Sequence, residues 1–281
     1  MAKRLRLSEV PKSRVAVWSR RLALFSLVVA ALSILVLRSN LLEIVPALAT
    51  FGAALVFAAL AVLLAFAAFV VIWRTGKTGL GSALSGMMLG LLLLAYPSYL
   101  GYRATKLPPI NDISTDASNP PRFDVLASLR PPDRIAYPGG KMAQQQRAGY
   151  PDIGPLQVNV SVKTAYDVAL ALINKRKWRV ADARPPGAGR RDAVIEATAR
   201  TPIMGFRDDV VVRVSPTSDG ARVDMRSASR YGISDFGANA TRVRSLLEDI
   251  DDGVGSAPEP RPEPEPAKKP EPPTRKRPAK R

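Results

Sequence analysis

The residue types capable of chemistry gather in one stretch, Arg226-Ser227-Ala228-Ser229-Arg230-Tyr231-Gly232-Ile233-Ser234-Asp235-Phe236-Gly237-Ala238-Asn239-Ala240-Thr241-Arg242, with Asp208 and Asp209 just upstream. A strand ending at Arg230, a glycine turn and a helix starting near Asp235 would bring Arg226, Arg230 and the first-turn amides together. Free amides at a helix start, flanked by guanidinium groups, make an anion site. Asn239 and Arg242 fall one and two turns into that helix, the latter within reach if its side chain folds back. The candidate binding set is therefore Arg226, Ser229, Arg230, Ser234, Asp235, Asn239, Arg242, Asp208 and Asp209. A structural network competes with this reading and stands ahead of it. In that network Arg226 pairs with Asp209, Arg230 pairs with Asp208 or Asp235, and Ser227 and Ser229 satisfy turn backbone. Asp235 would take the amides an anion needs.

Catalysis ranks last for chemical reasons. The chain has no histidine and no cysteine, which removes Ser-His and Cys-His nucleophile pairs, disulfides, and imidazole or thiolate metal sites. No lysine lies in the stretch to replace the missing base. Asp208 and Asp209 are neighbours on a strand, so they point to opposite faces and cannot act as an acid/base pair without a bulge. With Asp235 they could hold a hard cation, but the surrounding arginines disfavour it. No metal and no cofactor are expected.

The stretch, together with Gly205-Phe206-Arg207-Asp208-Asp209-Val210 and Tyr150-Pro151-Asp152, resembles the bacterial family known as domain of unknown function fourteen-ninety-nine. The resemblance covers about residues 150 to 251. It rests on an Arg-Ser-x-Ser-Arg-x-Gly-x-Ser-Asp-x-Gly-x-Asn string with an arginine three residues on. The family's aspartate pair after an aromatic is present as Asp208 and Asp209, with Arg207 between that pair and Phe206. The resemblance implies a domain boundary and an envelope setting, but no reaction.

The elements that would position these residues follow from periodicity. Ser161 can cap a helix over 162–175 with Ala165, Ala169, Leu172 and Ile173 on one face. Short strands are expected at 156–160 and 178–183. In 193–200, Ala193, Ile195, Ala197 and Ala199 alternate with Val194, Glu196, Thr198 and Arg200, the pattern of a half-buried strand. A hairpin of 206–214 and 221–229 is expected with Val214 opposite Ala221, Val212 opposite Val223 and Val210 opposite Met225. This register sets Asp209 against Arg226 and Asp208 against Ser227. A last helix over 235–251 carries Phe236, Ala240, Val243, Leu247 and Ile250, with Ser234 or Asp235 as its cap. The proline-rich stretch 104–149 reads as an extended connector.

Upstream lie three apolar runs: 22–37, 45–73 and 80–102. A bilayer core of about 30 Å needs roughly 20 helical residues, so spans of about 17–37, 46–73 and 80–102 are expected, with Arg20 and Arg21 snorkelling to the interface. A cleaved signal peptide is the rival for the first run, and Ala47-Leu48-Ala49 supplies an A-x-A match. That match falls inside the second span, far from the run, so an uncleaved anchor is expected. Gly76-Lys77-Thr78 lacks the first glycine of a P-loop, which would fall at Val71. No charge lies inside the second or third span, which argues against an ion path. Seven lysines and arginines precede the first span, one follows it, and Arg74 and Lys77 follow the second. By the positive-inside rule the N-terminus is cytoplasmic and the residues after 103 are outside. Ser82, Gly86 and Gly90 form a small-residue stripe for helix packing, which Ala53, Ala54, Ala58 and Ala59 could receive.

The reading is thus a basic N-terminus (1–21), a three-helix transmembrane region (22–103), the connector (104–149) and a soluble α+β domain (150–252). That domain has a mainly antiparallel sheet of four or five strands with two helices. A disordered Pro-rich tail (253–281) completes the chain. The net charge of +17 over 281 residues sits mainly at the two ends, so nucleic acid is not an expected partner. Partners are the lipid bilayer and either an anionic envelope component or a membrane partner protein. The expected function is a multi-pass protein of the bacterial inner membrane displaying a periplasmic binding or scaffolding domain for a small anionic or polar ligand. The alternative is an envelope hydrolase using the Arg/Asp cluster.

Overall fold

Uninterrupted apolar runs need helices to satisfy their backbone in lipid, and three form: α1 (Arg14–Ser39), α2 (Ile44–Thr75) and α3 (Leu80–Ala104). Each is long and apolar enough to cross a membrane. The computed structural model describes residues 10–39, 41, 43–187 and 191–255. The tail expected to be disordered therefore lies almost wholly outside the described residues. Helix packing uses small residues at coiled-coil spacing. On α1 the buried positions are Ala16, Ser19, Ala23, Ser26, Ala30, Ser33 and Leu37, and on α2 they are Ala47, Ala54, Ala58, Ala61, Val62, Ala65 and Ala68. Alternate steps of three and four keep a seam on one side, and Ala and Ser let the backbones approach. Phe25, Leu32, Leu35 and Phe66 point outward. The expected stripe on α3 meets both other helices: a Cβ on Gly86 would lie 2.2 Å from Ser19 Oγ, and one on Gly90 2.7 Å from Val62 Cγ2.

The remaining described chain builds one six-stranded antiparallel sheet and three helices. The elements are β1 (Asp112–Ser114), α4 (Gly140–Gly149), β2 (Leu156–Val158), α5 (Val162–Lys175), β3 (Arg179–Arg184), β4 (Ala193–Arg200), β5 (Arg207–Thr217), β6 (Gly220–Ser229) and α6 (Ala238–Gly255). The strand order is β1-β6-β5-β4-β3, and β2 also pairs with β6 beyond the end of β1. α5 begins at the expected cap, where Ser161 Oγ accepts the Thr164 N–H at 3.1 Å. Its Ala165, Ala169 and Ile173 join Ala240, Val243, Leu246 and Ile250 of α6 over Ile195, Val210, Val212, Val214, Val223 and Met225 of the sheet. In α6 it is Leu246 that is fully buried, with Leu247 at the margin, and Phe236 stays outside the helix and exposed.

Two expectations are corrected. The stretch expected to be an extended connector is woven into the domain. Asp112, Ile113 and Ser114 pair with β6, and the chain beyond them crosses the face of the sheet opposite the helices. Phe123 and Leu126 pack there on Val211 and Ala228. The centre of the sheet, β5, β6 and most of β4, is therefore buried on both faces, and its polar side there is an interior.

The hairpin register is displaced by two residues. Val214 faces Val223, Val212 faces Met225, Asp209 faces Ala228 and Asp208 faces Ser229. β5 continues through Pro216 to Thr217, which pairs with Gly220 around a two-residue turn. This register puts Arg213 directly opposite Asp224, with Nη2 3.0 Å from Oδ2. Gly220 has φ +147°, and any Cβ there would lie 2.2 Å from the Val158 carbonyl oxygen of β2. The turn is thus set by β2, which charge pairing within the hairpin does not reveal.

Candidate functional site

The alternation of β5 and β6 divides the candidate residues between the two faces of the sheet. Asp208, Ser227 and Ser229 lie on the helix side. Asp209, Arg226 and Arg230 lie on the side covered by residues 115–137.

On the helix side, α6 supplies the partners. Arg242 Nη2 donates to Asp208 Oδ2 at 2.6 Å, and its Nη1 donates to Ser227 Oγ at 2.9 Å and to Asn239 Oδ1. Asn239 is fully buried and joins both serines. Its Oδ1 accepts from Ser227 Oγ at 2.7 Å, and its Nδ2 donates to Ser229 Oγ and to the Asn111 carbonyl, each at 3.0 Å. Every polar group of the Asn239 side chain is matched, the condition for burying an amide without penalty.

The start of α6 is occupied by its own sequence. Phe236 and Gly237 both take positive φ, 53° and 81°, which turns Asp235 back over the first helical amides. Its Oδ1 accepts from Gly237 N–H and its Oδ2 from Asn239 N–H, each at 2.8 Å. Burial raises the Asp235 pKa, against the lowering effect of these amides, and the neighbouring Asp208 adds to the rise. Ser234 Oγ accepts weakly from Phe236 N–H at 3.4 Å.

On the other face, Arg226 does not meet Asp209. It grips Asp112 of β1 with two prongs, Nε to Oδ1 at 3.0 Å and Nη2 to Oδ2 at 2.7 Å, the favoured geometry for guanidinium and carboxylate. Its guanidinium carbon lies 4.7 Å from the Phe123 ring centre and 5.6 Å from that of Tyr137. Arg230 takes Asp209 instead, with Nη2 to Oδ1 at 2.8 Å and Nε to Oδ2 at 3.0 Å. Arg130 reaches the same carboxylate at 2.9 Å and also donates to the Ala228 and Ser229 carbonyls. The pairings expected from sequence, Arg226 with Asp209 and Arg230 with Asp208 or Asp235, are corrected accordingly. The two-residue shift of the hairpin and the arrival of β1 reassign the partners.

Sequence reasoning missed Asp112, Arg130 and Glu196. Glu196 is fully buried, and its carboxylate accepts the amides of Asp124 at 2.9 Å, Val125 at 3.2 Å and Leu126 at 2.9 Å. It thereby caps the short 3₁₀ turn Leu126–Leu129 that carries the covering segment. A glutamate on the polar side of a strand reads as solvent-facing. The available signal was weak: isolated Phe123 and Leu126 among prolines.

Tyr150, Pro151 and Asp152 close the helix side. Asp152 forms a two-pronged pair with Arg244 of α6, whose guanidinium lies 5.2 Å from the Tyr150 ring centre. The Arg244 hydrogen bond holds the Asp152 carboxyl below its usual pKa. Among the described residues, no group of three or more Asp or Glu is placed to hold a metal ion.

The model of a family described as Protein of unknown function (DUF1499) matches residues 112–250. The match opens at the first residue of β1 and so includes the segment that covers the polar face of the sheet. None of the curated proteins compared with the chain matches it.

Proposed function

We propose that this chain, whose C-terminal domain belongs to the family of unknown function DUF1499, is a multi-pass protein of the bacterial inner membrane that displays a binding or scaffolding domain in the periplasm. The observation that carries the non-enzymatic part is the closure of the constellation. The guanidinium groups of Arg226, Arg230 and Arg242 each face a buried carboxylate, and the α6 amides are taken by Asp235. Such a network holds strands and covering segment in register, and it leaves no open cationic pocket among its own members. Binding then falls to the surface of the domain and to the charged ends of the chain, with an anionic envelope component or a membrane partner protein as the partner.

The positive-inside count and the path of the chain support the proposed compartment. The described N-terminal end is tied to the α2–α3 turn, with Ser13 N–H donating to the Thr78 carbonyl at 2.8 Å. These two segments share one side of the bundle, and the α1–α2 loop and the domain share the other. The basic residues concentrate on the first side.

Reporter fusions after Asp252 test the compartment. Alkaline phosphatase should be active there and green fluorescent protein dark; the reverse pattern overturns the location and the envelope partners. For the site, thermal unfolding of the full chain in detergent should show no stabilisation by small anions that Arg230→Lys removes. A gain that depends on Arg230 would return the constellation to a binding role.

A further inference from the structure

At the end of the sheet nearest the membrane helices, three arginines lie side by side on one face. Arg200 of β4 is directly opposite Arg207 of β5. Arg230 follows β6 beside them, its N–H donating to the Arg207 carbonyl at 3.3 Å. Like charges directly opposite one another destabilise a sheet. Arg230 is neutralised by Asp209. Among the described residues Arg200 reaches only the carbonyl of Arg38, at 3.3 Å, and the Arg207 guanidinium makes no hydrogen bond or ion pair. Burial lowers the Arg207 pKa, and the neighbouring Arg230 and Arg200 charges lower it further.

Arg207 lines a cleft of about 610 Å³ whose other walls include Phe206 and Tyr231 from the domain, Leu37 from the end of α1, and Val45 and Leu48 from the first turns of α2. The cleft is thus cationic where the sheet ends and, apart from Glu43, apolar where the spans begin. Beside it, Arg38 ties the end of α1 to the domain, its Nη1 donating to the carbonyls of Pro202 at 2.7 Å and Ile203 at 3.1 Å. The loops beside it carry exposed apolar residues, including Ile203 and, at 78% exposure, Ile233. Glu43 also lines the cleft and offers an acceptor for a hydroxyl group.

We propose that this cleft holds one anionic phospholipid, with its phosphate on Arg207 beside Arg200 and an acyl chain along Leu37, Val45 and Leu48. A guanidinium above an apolar groove between spans matches both halves of such a molecule. A soluble anion would leave the apolar wall unused; Glu43 offsets one charge of the arginine pair, an anionic lipid supplies the second, and a zwitterionic lipid would leave one positive charge over. The proposal rests on the membrane-spanning reading of α1–α3 alone; it does not depend on the compartment or on the scaffolding role.

The test uses the full chain, purified in detergent and delipidated, with phosphatidylglycerol, phosphatidylcholine and inorganic phosphate as probes. Native mass spectrometry and thermal unfolding should show phosphatidylglycerol bound one per chain and stabilising, with phosphatidylcholine much weaker and phosphate without effect. Arg207→Gln should weaken phosphatidylglycerol binding roughly tenfold or more, as expected for loss of a charge-assisted contact, while Arg207→Lys keeps part of it. Val45→Trp, which fills the cleft from α2, gives a second variant that leaves the domain untouched and should also lose the lipid. Equal binding of the two lipids, full stabilisation by phosphate alone, or phosphatidylglycerol binding that survives both Arg207→Gln and Val45→Trp would each overturn the assignment.

Discussion

Arg230 and Asp209 meet as a two-pronged ion pair in which the carboxylate is fully buried, and Arg130, 79 residues earlier in the chain, closes on the same carboxylate from the covering segment. One aspartate therefore joins the end of β6, the middle of the sheet and the coil across it. Breaking a buried pair by removing one partner leaves a charge without compensation and costs roughly 3–5 kcal/mol. Asp209→Asn leaves two buried guanidinium groups facing one neutral amide, so its thermal unfolding should shift down by more than that of Arg230→Ala, which leaves Arg130 in place. Equal shifts would mean that Arg130 contributes nothing.

Glu196 makes a more local claim. Glu196→Gln keeps the shape but supplies one acceptor oxygen for amides that now share two, leaving buried N–H groups short of a partner at about 1–3 kcal/mol. Hydrogen exchange should speed up at residues 124–126 while β6 stays protected. Uniform acceleration across the sheet would show that the covering segment and the sheet open together.

The helix bundle offers a matched pair of glycines. A Cβ at Gly86 would lie 2.8 Å from the Arg20 backbone nitrogen, whereas one at Gly81 of the same helix meets nothing within 4 Å. Gly86→Ala should lower the unfolding temperature in detergent. Gly81→Ala should leave it level or raise it, since replacing a helical glycine stabilises by about 0.4–1 kcal/mol when no clash follows. Comparable losses at both positions would remove close α1–α3 approach as the cause.

Two aspartates should give pH slopes of opposite sign. Asp152 is held below the usual 3.8 by Arg244, so its contribution is complete above 3.8 and is lost as pH falls through the lowered value. Asp235 is raised above 3.8 by burial, so its contribution is complete below 3.8 and is lost as pH rises through the raised value. Against the parent chain, Asp152→Asn should flatten the acid-side fall in stability, and Asp235→Asn should flatten the decline on the way up. Unfolding temperatures measured from pH 3 upward separate the two, and slopes of the same sign would contradict the assignment.

Much of the helix-side architecture is legible in sequence, because periodicity and capping are local. Ser161 marks the start of α5, and the alternation of Ala193, Ile195, Ala197 and Ala199 marks β4 with its buried face. The arginine pairings are not local. A two-residue slip of β5 against β6 keeps the same faces apolar, so alternation within the hairpin does not fix the register; β2 and β1 fix β6 from outside it, and Asp112 competes for Arg226. The covering segment escaped because it holds the sheet through isolated anchors, Phe123, Leu126 and Arg130, rather than through any repeat. The Ala and Ser seam of α1 was present at regular spacing, but small residues in an apolar run carry little hydropathy contrast.

Asp112 and Arg226 are 114 positions apart in the chain. Synthesis delivers the spans first and β6 after every other strand of the sheet. Residues 115–137 consequently have no sheet to cover until most of the chain exists, and such distant pairing delays folding. A chain stopped before Gly220 would therefore leave β1 and β2 beyond α3 without the strand that both of them pair with. The window in which this protein is vulnerable to proteolysis is the interval between insertion of its third helix and arrival of its last strand.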